Sequence, residues 1–445
     1  MSASANAGLP VLDGALPVLG HMPEMYRRFP ALCARGVASC GPAFWIHGGP
    51  GARQLMVADE SALALLKNSS MSNAFYAEGF GALLGNSLLA FDGDEHRRLR
   101  QAVSPPFTPQ KVRKSDVLDI VCDAVEKRIA TWPDKVSVRV AAEVGEIALE
   151  IIFRLMGVPV AHLPDWRRQY NRFLLAGIPS TKRIPSPIQW IAVRARDWLD
   201  GRLGEIVDER RRTGETTTLV GELANARDED GGLLDRALVV TSLRLLSFAG
   251  HETTASSIAW CLLHLAADSD AQQRLVLEAQ SVDDVKAHAM DPARMSFAES
   301  AFREAMRLYP PLHSVIRRTT APVEVPGGIV PAGTLINIPF VHLLRDPARF
   351  PDPDVFRVER WTERPRPGTV ETAMFGAGPH FCLGYHVAIA EGTLFMLLLG
   401  RLLARQGLTL EIAGDGKVPR PIYLPLIHPP SRAELRLVPT RKGAA

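Results

Sequence analysis

A run of more than thirty residues, from about Leu234 to Ala267, keeps a helical period without a proline and is apolar around much of its circumference. At 1.5 Å per residue it would span roughly 50 Å, enough to cross a whole domain. A helix of that kind cannot lie on a surface, so the rest of the chain has to wrap it. The break at Asp230-Gly231-Gly232 marks where it begins.

The flanking segments agree with a mainly α chain. The pattern predicts a helix over Pro23–Ala38, then strands Ala43–Ile46 and Gln54–Val57 around a turn at Gly48–Gly51. Asn68–Ala90 has no period but carries Phe75, Tyr76, Phe80, Leu83, Leu84, Leu88 and Leu89, the composition of a loop that covers a site. Gly93–Trp198 reads as mostly helix, with a proline-rich connector at Gly177–Pro187. A helix over Ser296–Leu308 ends at Pro310-Pro311, strand-like pieces follow at Val323–Val325 and Thr334–Pro339, and Asp346–Ala373 is aperiodic. Leu408–Val438 reads as short strands and turns. No linker or repeat divides the chain. The expectation is an irregular arm over residues 1–22 and a single domain over 23–445.

Bulk properties narrow the class. With 445 residues, 47% of them hydrophobic and 22% charged, the chain can bury a large core. A net charge of +3 gives no reason to expect nucleic acid as a partner. Cys33, Cys40, Cys122, Cys261 and Cys382 form no CxxC pair, which points to a reducing compartment. The first eight residues lack a basic segment followed by an apolar run. The uncharged stretch Gly392–Gly400 falls far short of the roughly 18 residues a membrane span needs. A cytoplasmic protein without a membrane span is expected.

Two stretches carry chemistry. Phe375-Gly376-Ala377-Gly378-Pro379-His380-Phe381-Cys382-Leu383-Gly384 is a glycine-punctuated loop running into an apolar helix. A cysteine beside a helix N-terminus is favoured as thiolate, so the loop would present an anionic sulfur; the bland reading is a buried free cysteine. Within the long helix, Ala249-Gly250-His251-Glu252-Thr253-Thr254 sets a carboxylate and hydroxyls among apolar neighbours, with Gly250 allowing a groove or kink. That motif reads equally as a proton-delivery site or as a polar kink satisfied by water. A zinc HExxH reading fails, because Ala255 stands where the second histidine is needed.

Three weaker sets accompany them. Glu304 and Arg307 share a helix face, and Arg360 could reach Glu304 and pin the aperiodic segment. His96 and Arg100 lie one turn apart, and with Arg317 and His380 they could converge on an anionic ligand. Singly, each is an ordinary surface group.

In combination and in this order, the pieces resemble the cytochrome P-450 family of haem-thiolate monooxygenases, of the soluble bacterial type. The loop matches the family's Phe-x-x-Gly-x-x-x-Cys-x-Gly at Phe375, Gly378, Cys382 and Gly384, and Ala/Gly-Gly-x-acid-Thr-Thr is complete. Val358 departs from the proline that many members carry before the third residue of the Glu-Arg-Arg triad. The resemblance implies the P-450 fold, a triangular prism with a long central helix across the haem and small β-sheets. It implies haem b (iron protoporphyrin IX), with Cys382 as axial ligand, Phe375 shielding the sulfur, and Gly378 and Gly384 shaping the loop. His96, Arg100, Arg317 and His380 would hold the propionates, Arg317 being chosen over Arg318 by spacing. Glu252 and Thr253 would relay protons to the oxygen being activated, and Glu304, Arg307 and Arg360 would be structural.

Substrate contacts would come from Phe75, Tyr76, Phe80, Leu84, Leu245, Phe248, Ala249, His313, Val315 and Ile422, a largely apolar set that fits a lipophilic molecule. Tyr76 and His313 are the candidate polar anchors. Arg97, Arg98, Lys111, Arg113 and Lys114 would dock an acidic ferredoxin or flavodoxin. The implied enzyme is a monomer that inserts one atom of O2. The alternatives are a peroxide-driven or isomerising relative, which often lacks the acid–alcohol pair, and a haem-based sensor, which needs no proton relay.

Overall fold

The structure, a computed structural model, describes residues 8–49, 53–77, 87–114, 116–175, 187–227, 230–291, 295–362, 367–423 and 426–440, without the Lys114 side chain. Seven helices organise the account: α1 Met22–Cys40, α2 Gly93–Val103, α3 Val140–Met156, α4 Leu163–Leu174, α5 Arg236–Ala267, α6 Phe297–Leu308 and α7 Tyr385–Gln406.

The helix α5 is the long buried run. Asp235 caps it by accepting from the Leu238 N–H at 2.9 Å. It packs most extensively on α3. A Cβ on Gly250 would come within 2.9 Å of Ile152 Cδ1, so the glycine is there to let α3 and α5 approach. The helix α5 runs unbroken through the position where a groove or kink is expected.

Ser296 caps α6 by accepting from the Glu299 N–H, and α7 packs against α6 where Gly392 meets the Phe302 ring. Gly378–Gln406, which includes α7, is long and apolar enough to cross a membrane, yet 72% of its apolar window is buried inside the protein. It is a core helix, apolar because α5, α6 and the helices Val117–Ile129 and Ser269–Ser281 surround it.

Five strands, β1 Ala43–His47, β2 Arg53–Val57, β3 Met71–Ser72, β4 Val315–Thr319 and β5 Leu335–Ile338, form one sheet in the order β1-β2-β5-β4-β3. Alternation along β4 buries Val315, Arg317 and Thr319 and leaves Ile316 and Arg318 partly exposed. Arg317, not Arg318, therefore points inward. A second sheet joins Val138–Arg139 to the C-terminal strands Leu408–Ile412 and Glu434–Pro439. The strand at Val138 lies inside a stretch that reads as helix. Two residues carry no period, and its partner comes from the far end of the chain.

From Gly8 onward the N-terminal arm is more ordered than its composition implies. Leu9 and Leu12 are buried, and Val11 bridges to Trp45. The glycine turn after Ile46 lies partly outside the described residues.

Candidate active site

The cysteine loop is closed by its own backbone. Cys382 N–H donates to Phe375 O at 2.7 Å. Gly376 (φ 76°) and Gly378 (φ 62°) take left-handed angles that other residues reach only with strain, and a Cβ on Gly378 would crowd Leu66 O at 3.1 Å. The Phe375 ring stands edge-on to Tyr385 at 4.8 Å. A Cβ added to Gly384 would meet nothing within 4 Å, so the surface over the start of α7 is open to a flat ligand.

Burial pushes the Cys382 thiol up in pKa, against the lowering effects of the Gly384 N–H and the Arg100 charge. The thiolate expected from the helix N-terminus is thus not stabilised by the protein alone. It needs a cation on the sulfur, the role an iron would fill.

Helix α2 is fastened to this loop. Arg100 Nη2 donates to Phe381 O at 2.7 Å, and the His96 and His380 rings lie 4.0 Å apart. His380 Nε2 donates to Asp92 Oδ1 at 3.3 Å. Asp92, at the N-cap position of α2, also accepts from Ser72 Oγ at 2.6 Å and Asn73 N at 3.0 Å. Burial favours its neutral form, but the hydrogen bonds from His380, Ser72 and Asn73 prevail and hold its carboxyl below the usual range. Sequence reasoning passed over Asp92. A helix-starting aspartate is normally a cap, but this side chain turns away to β3 and the cysteine loop.

Two groups at the site are poorly satisfied. His96 is 2% exposed, its Nε2 has no partner among the described residues, and burial, then the charges of His380 and Arg100, push it down to about 4. Arg317 is buried, donates only to Ile316 O at 3.0 Å, and meets no carboxylate among the described residues. A buried guanidinium and an unpartnered imidazole nitrogen near an open surface call for an anionic ligand.

Along the middle of α5, Leu245, Phe248, Ala249, Glu252 and Thr253 retain exposure at helical spacing, with Leu246 and Gly250 partly exposed beside them. Thr253 Oγ1 donates to Ala249 O at 2.7 Å. Glu252 Oε1 lies 2.9 Å from His251 Nε2. Burial alone would raise the Glu252 pKa, yet the charges of His251, Arg167 and His428 and the His251 hydrogen bond bring it below the usual range. His428 comes from a turn bridged at Ile422–His428, and Ile427 O in that turn accepts from Ser256 Oγ of α5 at 2.5 Å.

The remaining apolar residues divide. Phe248 packs edge-on to Phe173 at 5.6 Å, and Phe75 to Tyr76 at 5.6 Å. Val315 shares the inward face of β4 with Arg317. The Tyr76 hydroxyl accepts from the Ile316 N–H at 3.2 Å, so it anchors the loop to β4. His313 packs edge-on to Phe29 of α1 at 4.8 Å, buried, and burial pushes it down to about 4. Phe80, Leu84 and most of the connector before Pro187 lie outside the described residues.

Glu304 is the hub of the structural set. Arg307 pairs with it bidentately at 2.9 Å through Nε and Nη2, Arg360 Nε reaches it at 3.2 Å, and the Arg357 N–H at 3.0 Å. Trp361 Nε1 adds a bond at 2.9 Å that sequence reasoning missed. Val358, in place of proline, is buried within this segment.

One sulfur, two unsatisfied cation-forming groups and two open surfaces fit an iron protoporphyrin. The profile of the family described as Cytochrome P450 matches residues 10–405. The chain belongs to the cytochrome P450 family. It is 34% identical to the "Cytochrome P450 BJ-4 homolog" of Sinorhizobium fredii over 95% of this chain and 94% of that one. It is 28% identical to "Cyclooctat-9-en-7-ol 5-monooxygenase" of Streptomyces melanosporofaciens, over 89% and 90%. The fold matches a retinoic acid-bound cyanobacterial P450, CYP120A1, with a TM-score of 0.84 at 22% identity over 97% and 99% of the two chains. As a P450 monooxygenase the protein uses haem b, O2, a lipophilic substrate and a redox partner.

Proposed function

We propose that this P450 hydroxylates or epoxidises a lipophilic terpenoid-like molecule, with electrons from a separate ferredoxin or flavodoxin. The observation that carries the reading is the stripe on α5, where Leu245, Phe248 and Ala249 are apolar and Glu252 and Thr253 are the polar exceptions. The relative named for oxidising cyclooctat-9-en-7-ol, an unsaturated cyclic alcohol, supports the substrate class. Steroid, macrolide and fatty-acid substrates are the other lipophilic classes such a face would take.

In this reading Cys382 would bind the haem iron, and Phe375, Gly378 and Gly384 shape its loop. His96, Arg100 and Arg317 would hold the propionates, and His380 supports His96 from its bond to Asp92. Bound through the Cys382 thiolate, a haem would supply the activation of O2. The protein's own residues exclude water along the apolar stripe, and Glu252 and Thr253 move protons. Residues 23–445 work as one catalytic unit in a monomeric, cytoplasmic protein, to be checked by size-exclusion chromatography and cell fractionation.

The test is titration of the holoprotein with terpenoids, steroids, macrolides and fatty acids, read by the haem spin-state shift. Micromolar binding of cyclic terpenoids, and a much weaker response to fatty acids, is expected. Binding confined to polar molecules would overturn the reading.

A further inference from the structure

His251 sits inside the long helix, fully buried, and packs against Tyr170 of α4 with ring centroids 4.9 Å apart. Its Nδ1 lies 2.7 Å from Ser247 O, an atom that only accepts, so Nδ1 carries a hydrogen. Its Nε2 lies 2.9 Å from Glu252 Oε1. Two lone pairs do not approach that closely without a proton between them. Whether that proton resides on the ring or on the carboxyl, the pair as a whole is uncharged.

We propose that His251 and Glu252 form a dyad that stores one proton beside Thr253, with His251 as the positioning residue that loads and aims the acid. This rests on the acid–alcohol role assigned to Glu252 and Thr253 above. A lone carboxylate among the apolar residues of that stripe would be costly, whereas the dyad keeps the site neutral while holding a proton ready. Glu252's depressed pKa agrees with the imidazole as its partner.

Release runs from a Glu252 oxygen towards the Thr253 hydroxyl and leaves a neutral imidazole and a carboxylate. That single negative charge is faced by Arg167 of α4 and His428 of the C-terminal turn. From α3, Glu143 and Glu146 act on Arg167, and Arg128 opposes them. Arg167 is held by the Ala142 carbonyl and, at 2.6 Å, by that of Ala141. It also lines a surface depression with Glu146 and Arg168, which brings solvent to Arg167. A proton from solvent refills the dyad.

Two measurements on the holoprotein test it. In the reduced, carbon monoxide-bound form with 15N-labelled histidine, the wild type should show a deshielded proton bridging His251 Nε2 and a carboxylate. In Glu252→Gln that proton should vanish while Nδ1–H persists. In turnover with a substrate found by the titration, His251→Gln should keep the carbon monoxide spectrum and lose three- to tenfold in product per reductant, with a shifted pH profile and a larger solvent isotope effect. Histidine signals indifferent to Glu252→Gln, or His251→Gln with wild-type coupling and pH profile, would overturn the dyad. If Thr253→Ala uncouples and His251→Gln does not, the acid–alcohol reading stands and the dyad falls. If neither uncouples, the acid–alcohol reading itself has failed. Should His251→Gln not fold, the wild-type and Glu252→Gln spectra decide.

Discussion

The His96 and His380 rings lie 4.0 Å apart, centroid to centroid, tilted by 41°. One comes from α2 and the other from the cysteine loop, and the Arg100–Phe381 bond clamps the same two elements one turn further on. Burial, then the charges of His380 and Arg100, push His96 down to about 4. The protein thus joins the helix to the cysteine loop through its own contacts. His96→Phe preserves the packing and removes the unpartnered nitrogen. It should leave the fold intact by circular dichroism while lowering the haem-to-protein ratio after gel filtration several-fold. An unchanged ratio would remove His96 from the propionate set.

Thr253→Ala deletes the hydroxyl and fills no new space. Reductant consumption should continue while product falls at least severalfold and hydrogen peroxide appears in its place. Peroxide at wild-type levels would take Thr253 out of proton delivery.

Glu304 accepts bonds from Arg307, Arg360, the Arg357 N–H and Trp361 Nε1 with no exposure to solvent. Glu304→Ala leaves buried guanidinium charge unpaired, a loss of about 3–5 kcal/mol by comparison with other buried pairs. Denaturant unfolding should show it, and Arg360→Ala should cost less because Glu304 keeps its bonds from Arg307, the Arg357 N–H and Trp361. Equal costs for the two would contradict the hub.

Glu391 of α7 is buried with Oε1 unpartnered among the described residues, and burial pushes its pKa up to about 8. The folded state therefore holds a proton that the unfolded chain releases above the ordinary carboxylate range. Stability is fullest below that range and declines as pH rises towards 8, by up to about 1.4 kcal/mol per pH unit. Glu391→Gln should flatten the dependence of melting temperature on pH between 5 and 8. An unchanged slope would assign the dependence elsewhere.

Arg97, Arg98, Lys111 and Arg113 are exposed, and Arg113 lies near enough to His386 at the start of α7 to add to the burial that depresses its pKa. Lys111→Glu with Arg113→Glu should slow reduction by an acidic ferredoxin about tenfold at low salt and weaken its salt dependence. Equal rates would move the docking face.

The sequence made some of this legible and hid the rest for identifiable reasons. The central helix, the cysteine loop and Glu304–Arg307–Arg360 announce themselves by period, glycine placement and spacing. Val138–Arg139 does not, because a two-residue strand is defined by its partner. Gly250 read as a flaw in its helix, since only the three-dimensional crossing shows Ile152 against it. The burial that pushes the Cys382 thiol up is hidden too, because helix position is visible in a sequence and burial is not. Asp92, Arg167 and His428 reach the site from segments with no motif of their own.

The central claim is that Cys382 binds haem iron as a thiolate, and the spectrum of the reduced, carbon monoxide-bound holoprotein tests it most directly. The wild type should show the red-shifted Soret band of thiolate ligation, and Cys382→Ser should lose it. A wild-type spectrum without that band, or a Cys382→Ser spectrum that keeps it, would contradict the account.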